Sequence, residues 1–134
     1  MPAGQSQKES YVNESFARID ALLHAAVEAE LAAPPASPQD GQCWLVGAAP
    51  SGAWTGRSGA LAAFQQGQWL FQAPRDGLRL LNRATGQELR YRGVWQAALR
   101  PALSTGGTIV DTQSRATIAA IIDALAAAGI IAAQ

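Results

Sequence analysis

The chain has 134 residues, of which 49% are hydrophobic and 15% charged, and Lys+Arg and Asp+Glu both number 10. That length supports one domain with a real core, and a net charge of 0 leaves no global field to gather nucleic acid or an anionic membrane surface. One Cys and one His exclude a disulfide framework and a His/Cys metal cluster within one chain. No cofactor, metal or nucleic acid is therefore expected. No apolar run approaches the roughly 20 residues of a spanning helix, so membrane insertion is not expected and synthesis in the cytoplasm is.

Charge is segregated along the chain. Residues 1–40 carry two basic and six acidic residues, a balance of −4, whereas residues 41–100 carry seven arginines against Asp76 and Glu88, a balance of +5. Acidic and basic parts that attract one another within or between copies account for this pattern. The alternative is an Arg-lined surface for an anionic ligand such as an acidic polysaccharide.

Residues 1–33 read as an N-terminal helical arm. Val12, Phe16, Ile19, Leu23 and Ala26 recur at alternating steps of four and three, which predicts a helix over about 6–32 with one apolar stripe. The same spacing is a short coiled-coil seam. Pro34-Pro35 cannot continue a helix and opens a connection that runs to Gly41.

Residues 34–104 read as a Trp/Gly-rich β module of five to seven short antiparallel strands. Cys43–Val46 is a short apolar strand, and Ala60–Gln65 and Gln68–Gln72 flank the turn Gln66-Gly67. Leu78–Asn82 and Glu88–Arg92 flank Ala84–Gln87, and Gly93-Val94-Trp95 leads into a last strand. Residues 105–134 hold the C-terminal helix, after a brief extended Thr108-Ile109-Val110. Asp111 or Thr112 caps it, Ile118, Ile121, Ile122 and Leu125 share one face, and Gly129 stops it. The fold class is α+β: helix, small antiparallel β module, helix.

Catalytic chemistry finds little support. His24 is the lone imidazole and sits on a helix flank with no nucleophile beside it; Cys43 reads as a small buried thiol. Asp76 and Glu88 are the only carboxylates of residues 41–100, too ordinary a pair to indicate a glycosidase. The chain is therefore read as no enzyme, with no catalytic residue. Repeated Gly-x-Trp is more distinctive: Gly52-Ala53-Trp54, Gly67-Gln68-Trp69 and Gly93-Val94-Trp95. Such indoles fill a core first, but exposed ones would stack on sugar rings.

Several stretches are similar to a known family. Gln7-Lys8, Val12-Asn13-Glu14 and Arg18-Ile19-Asp20-Ala21-Leu22 resemble its opening helix. The likeness continues through Ala33-Pro34-Pro35, Asp40-Gly41, Gly52-Ala53-Trp54-Thr55-Gly56, Leu61-Ala62-Ala63-Phe64, Gly67-Gln68-Trp69, Pro74-Arg75-Asp76-Gly77 and Gly93-Val94-Trp95, over roughly residues 7–96. The family is of uncharacterised function and occurs in alphaproteobacterial phages, prophages and gene transfer agents, in tail-fibre or spike-type virion proteins. The resemblance implies a non-catalytic virion structural protein, a fibre, spike or fibre-attachment module whose partners are other tail or spike proteins.

Two functions are carried forward. The first is homo-oligomerisation, with a trimer as the expected state, through Val12, Phe16, Ile19, Leu23, Ile118, Ile121, Ile122 and Leu125. The alternative is a carbohydrate-binding module recognising host surface polysaccharide through Trp54, Trp69, Trp95, Arg79, Arg83, Arg90 and Arg92.

Overall fold

The computed structural model describes residues 6–108 and 111–133, so the expected extended stretch at Ile109-Val110 lies outside the described residues. The fold is α+β, as the sequence predicts. Helix α1 (Ser6–Leu22) precedes strands β1 (Ala26–Val27), β2 (Glu30–Leu31), β3 (Cys43–Val46), β4 (Leu61–Gln65), β5 (Gln68–Gln72), β6 (Arg79–Asn82), β7 (Gln87–Arg92) and β8 (Val94–Ala97), and helix α2 (Thr112–Ala127) follows.

The N-terminal helix is ten residues shorter than the apolar spacing predicts. Leu23 N–H still donates to the Ile19 carbonyl, but His24 adopts a left-handed conformation with φ of 56° and ends the helix. The segment after it is drawn into the sheets, where Val27 is 1% exposed between them. Burial of that side chain in a core outweighs a helical period that Ala26 and Val27 continue only by coincidence. The arm thus ends near His24, and the proline-rich stretch 34–41 joins β2 to β3 inside the β module.

The β module holds eight strands in two four-stranded sheets, β1-β6-β7-β8 and β2-β3-β4-β5. Its main pairings are the predicted antiparallel ones, Leu61–Gln65 against Gln68–Gln72 and Arg79–Asn82 against Gln87–Arg92. Two pairings correct the all-antiparallel expectation: β1 runs parallel to β6 and β2 parallel to β3. Each is only two residues long, too short to leave a periodic signal.

Burial on both faces makes β3 the centre of the molecule. Cys43 and Leu45 point into the space between the sheets, with Val27, Leu61, Leu80 and Leu89. Trp44 and Val46 point the other way, under Trp54 and beside Ala62. Trp54 comes from a single 3-10 turn, Gly52–Trp54, in the long connection between β3 and β4. Trp69 is the hub of this second core, edge-on to Trp44, Trp54 and Phe64 with ring centroids 5.6, 5.0 and 4.9 Å away.

Helix α2 is built as predicted at both ends. Asp111 accepts hydrogen bonds from the Ser114 N–H (2.9 Å) and hydroxyl (2.7 Å), which hold its carboxyl below the usual carboxylate range. At the other end Gly129, with φ of 71°, closes a Schellman motif: its N–H donates to the Ala126 carbonyl and that of Ile130 to the Leu125 carbonyl. The helix end is clipped to the β6–β7 hairpin, because the Glu88 N–H donates to the Gly129 carbonyl at 2.9 Å.

Gly129→Ala is expected to destabilise the protein by roughly 2–3 kcal/mol in denaturant unfolding. A Cβ there would lie 2.6 Å from the Gly86 carbonyl oxygen, and the left-handed backbone adds its own strain. A change under 0.5 kcal/mol would show that the clip carries no weight. Trp54 buries its indole N–H without a hydrogen-bond partner. Trp54→Phe removes that unmet donor along with packing, so it should cost within about 1 kcal/mol, against about 3–5 for Trp54→Ala.

Candidate functional site

Helix α1 leans on the β module through one face and leaves its apolar stripe uncovered. Ala17, Arg18 and Ala21 are half-buried, while Val12, Phe16, Ile19 and Leu23 are all exposed, Phe16 at 64% and Leu23 at 67%. At about 100° per residue, the centres of the two faces lie roughly 175° apart around the helix. The hydrophobic stripe is thus nearly opposite the side that packs.

Arg18 holds the helix in place. Its Nη1 donates to the Phe71 carbonyl at 2.8 Å, while Nε and Nη2 donate to Oε1 of Glu14 at 3.0 and 2.7 Å. The hairpin explains why that carbonyl is free. Gln66 and Gly67 both have positive φ, 51° and 75°, as a two-residue hairpin turn requires. In that register Ala62↔Phe71 is a non-hydrogen-bonded pair, so the Phe71 carbonyl points outward from the sheet edge. The Glu14/Arg18 spacing is visible in the sequence, but nothing there reveals that Arg18 reaches an edge strand 53 residues away.

Beside the stripe, helix and hairpin leave a groove of about 790 Å³. Asn13, Asp20 and the stripe residues Phe16, Ile19 and Leu23 line one wall, and Gln66, Gln68 and Leu70 the other. The opposite flank of the helix is convex and exposes Tyr11 (69%) and Leu22.

Helix α2 likewise splits its apolar residues. Ile122 is buried against the molecule's own core, which removes it from the expected oligomerisation set, whereas Ile118, Ile121 and Leu125 remain exposed. Arg115 straps the preceding segment along the helix by donating to the Ser104 and Gly106 carbonyls, and Arg100 pairs with Asp123.

The indoles named as sugar platforms are engaged inside the protein. Trp54 is 0% exposed and offers no face to a ring. Trp69 is half-buried at the aromatic hub, and Trp95 donates its Nε1–H to the Gly59 carbonyl at 2.8 Å while packing edge-on to Tyr91. The arginines lie at the surface. Arg79, Arg90 and Arg92 share the outer face of the β6-β7-β8 sheet, and register sets Arg79 directly opposite Arg90. Arg79 has Glu88 at 3.9 Å; Arg83 is bound to Glu28 at 2.9 Å. Arg90 and Arg92 make no ion pair among the described residues.

The residues weighed for catalysis, His24, Cys43, Asp76 and Glu88, are not brought together among the described residues. His24 is exposed in its turn, and burial pushes the Cys43 thiol up to about 11. Asp76 accepts the Gly93 N–H at 2.8 Å, five residues along from Glu88 and so roughly 17 Å from it by strand rise. A glycosidase pair needs a separation of about 5–9.5 Å. No cluster of three metal-ligating side chains occurs among the described residues, and no helix among them is long and apolar enough to cross a membrane.

A family model described as a protein of unknown function (DUF2793) matches residues 12–96, well over half of the chain. No curated protein matches it.

Proposed function

For a chain that belongs to the DUF2793 family of proteins of unknown function, we propose a non-catalytic structural module that assembles with copies of itself through its helices. In this reading the module belongs to a phage-like virion and joins other tail or spike proteins, supported by the resemblance of residues 7–96 to tail-fibre and spike-type proteins. The observation that carries the oligomer is the stripe Val12, Phe16, Ile19 and Leu23, apolar at coiled-coil spacing and left exposed in the single chain. Ile118, Ile121 and Leu125 of α2 offer a second, shorter stripe.

Substituting Ile19 and Leu23 together with Asp is expected to reduce the oligomer to the 14.0 kDa chain in light scattering after size exclusion. Because both side chains are exposed in the single chain, the thermal midpoint of the monomer should remain above room temperature. An oligomer of unchanged mass would remove α1 from the interface.

One observation favours a second reading, recognition of an acidic polysaccharide. Like charges directly opposite on neighbouring strands destabilise a sheet, yet Arg79 faces Arg90, with Arg92 beside them on the same face. An anionic ligand relieves that repulsion, and guanidinium groups bind carboxylate and sulfate by paired hydrogen bonds. Replacing Arg90 and Arg92 with Ala should weaken binding to a sulfated or uronate polysaccharide column at least tenfold. Equal retention of both proteins, or of neither, counts against this face.

A further inference from the structure

The two flanks of helix α1 differ in shape and in charge. On one side of the stripe lie Lys8, Tyr11, Ser15 and Leu22: a convex flank with a positive charge and no carboxylate. On the other lie Glu9, Asn13 and Asp20, which carry two negative charges, and Asn13 and Asp20 open into the groove that ends at Gln66 and Gln68. We infer that α1 associates with α1 of a second copy in a parallel, rotationally symmetric arrangement, in which Tyr11 and Leu22 of each copy enter the helix–hairpin groove of the next. This rests on the oligomeric reading above and names the geometry of the same surface.

Three observations converge on it. The first is area. A stable interface buries about 800 Å² per partner, and the four seam side chains supply roughly 400 Å² at about 100 Å² each. Tyr11, Leu22 and the groove walls supply the remainder. The second is charge. A head-to-tail ring sets the Lys8 flank of each copy against the Glu9/Asp20 flank of its neighbour. An antiparallel pair instead sets each flank against itself, so the acidic flanks meet and the groove stays open. The third is position. The half-buried side of α1, Ala17, Arg18 and Ala21, lies opposite the stripe, and the hairpin residues Gln66, Gln68 and Leu70 stand across the groove on the acidic flank, where they form the far wall for the neighbour's Tyr11 and Leu22. Parallel helices keep residues of equal height together, which brings Tyr11 level with the neighbour's Asn13 and Leu22 level with its Asp20, both on the groove wall.

Disulfide trapping of the full-length chain distinguishes the arrangements. Leu22→Cys combined with Gln68→Cys puts one thiol on the Leu22 flank and one on the hairpin wall of the groove, the mass of the oxidised species tells a link between chains from one within a chain, and the native Cys43 is buried and does not compete. Mild oxidation should give covalent species up to the full mass of the oligomer, in steps of 14.0 kDa. Tyr11→Cys combined with Leu22→Cys, about 16 Å apart along one helix, should stay unlinked. An oligomer in which the second variant cross-links and the first does not is antiparallel and overturns the proposal while leaving self-assembly standing. A wild-type chain that scatters as a monomer at every concentration overturns both.

Discussion

The whole molecule is arranged around a sheet strand that must be covered twice. Cys43-Trp44-Leu45-Val46 has no side that tolerates water, so its sheet needs a cover on each face. The second sheet provides one, through Leu80, Leu89 and Val27. The other comes from the β3–β4 connection, which folds Trp54 down onto Trp44 and Trp69. Both covers are β or loop structure. Of the helices only Ile122 of α2 is buried with the core, and most of their apolar residues are left over. In most small α+β domains a helix shields one face of the sheet and spends its hydrophobic side there. Here that duty has been taken, so the stripes are available for other copies or other proteins.

The attachment of the helices follows the same logic. Each is held by polar contacts at a few points: α1 by Arg18 on the Phe71 carbonyl, α2 by the Gly129 clip, the Ala132–Ala98 hydrogen bond and Arg100. Arg18 also occupies an outward carbonyl of β5, the outer strand of its sheet, and a charged side chain there discourages another strand from pairing. In the proposed assembly the helices, rather than this sheet edge, are the contact surface.

Much of this architecture is legible in the sequence, for identifiable reasons. Gln66-Gly67 and Ala84–Gln87 are turns between runs of strand-forming residues, so the two hairpins could be read directly, as could the Asp111 cap and the Gly129 stop. The end of α1 could not. Ala26 and Val27 continue the helical stripe, and the residue that breaks it is His24, whose left-handed backbone has no signature. Two-residue strands in parallel pairing depend on partners 55 and 15 residues away, beyond any local pattern. The Trp residues show the other limit: Gly-x-Trp marks strand entry, but which indole is sealed depends on the loop that folds over it. The exposed stripe of α1 was legible, its matching groove was not, because one wall belongs to a hairpin more than 40 residues downstream.

Cys43 carries a consequence of its own. The chain has no second cysteine to pair with, and the thiol it has is shielded in the core with its ionisation held back by burial. Nothing in the fold depends on oxidation, and little in it can be oxidised. A disulfide-reducing and a disulfide-forming solution therefore present the described fold with the same conditions, since neither makes nor breaks a covalent link within it.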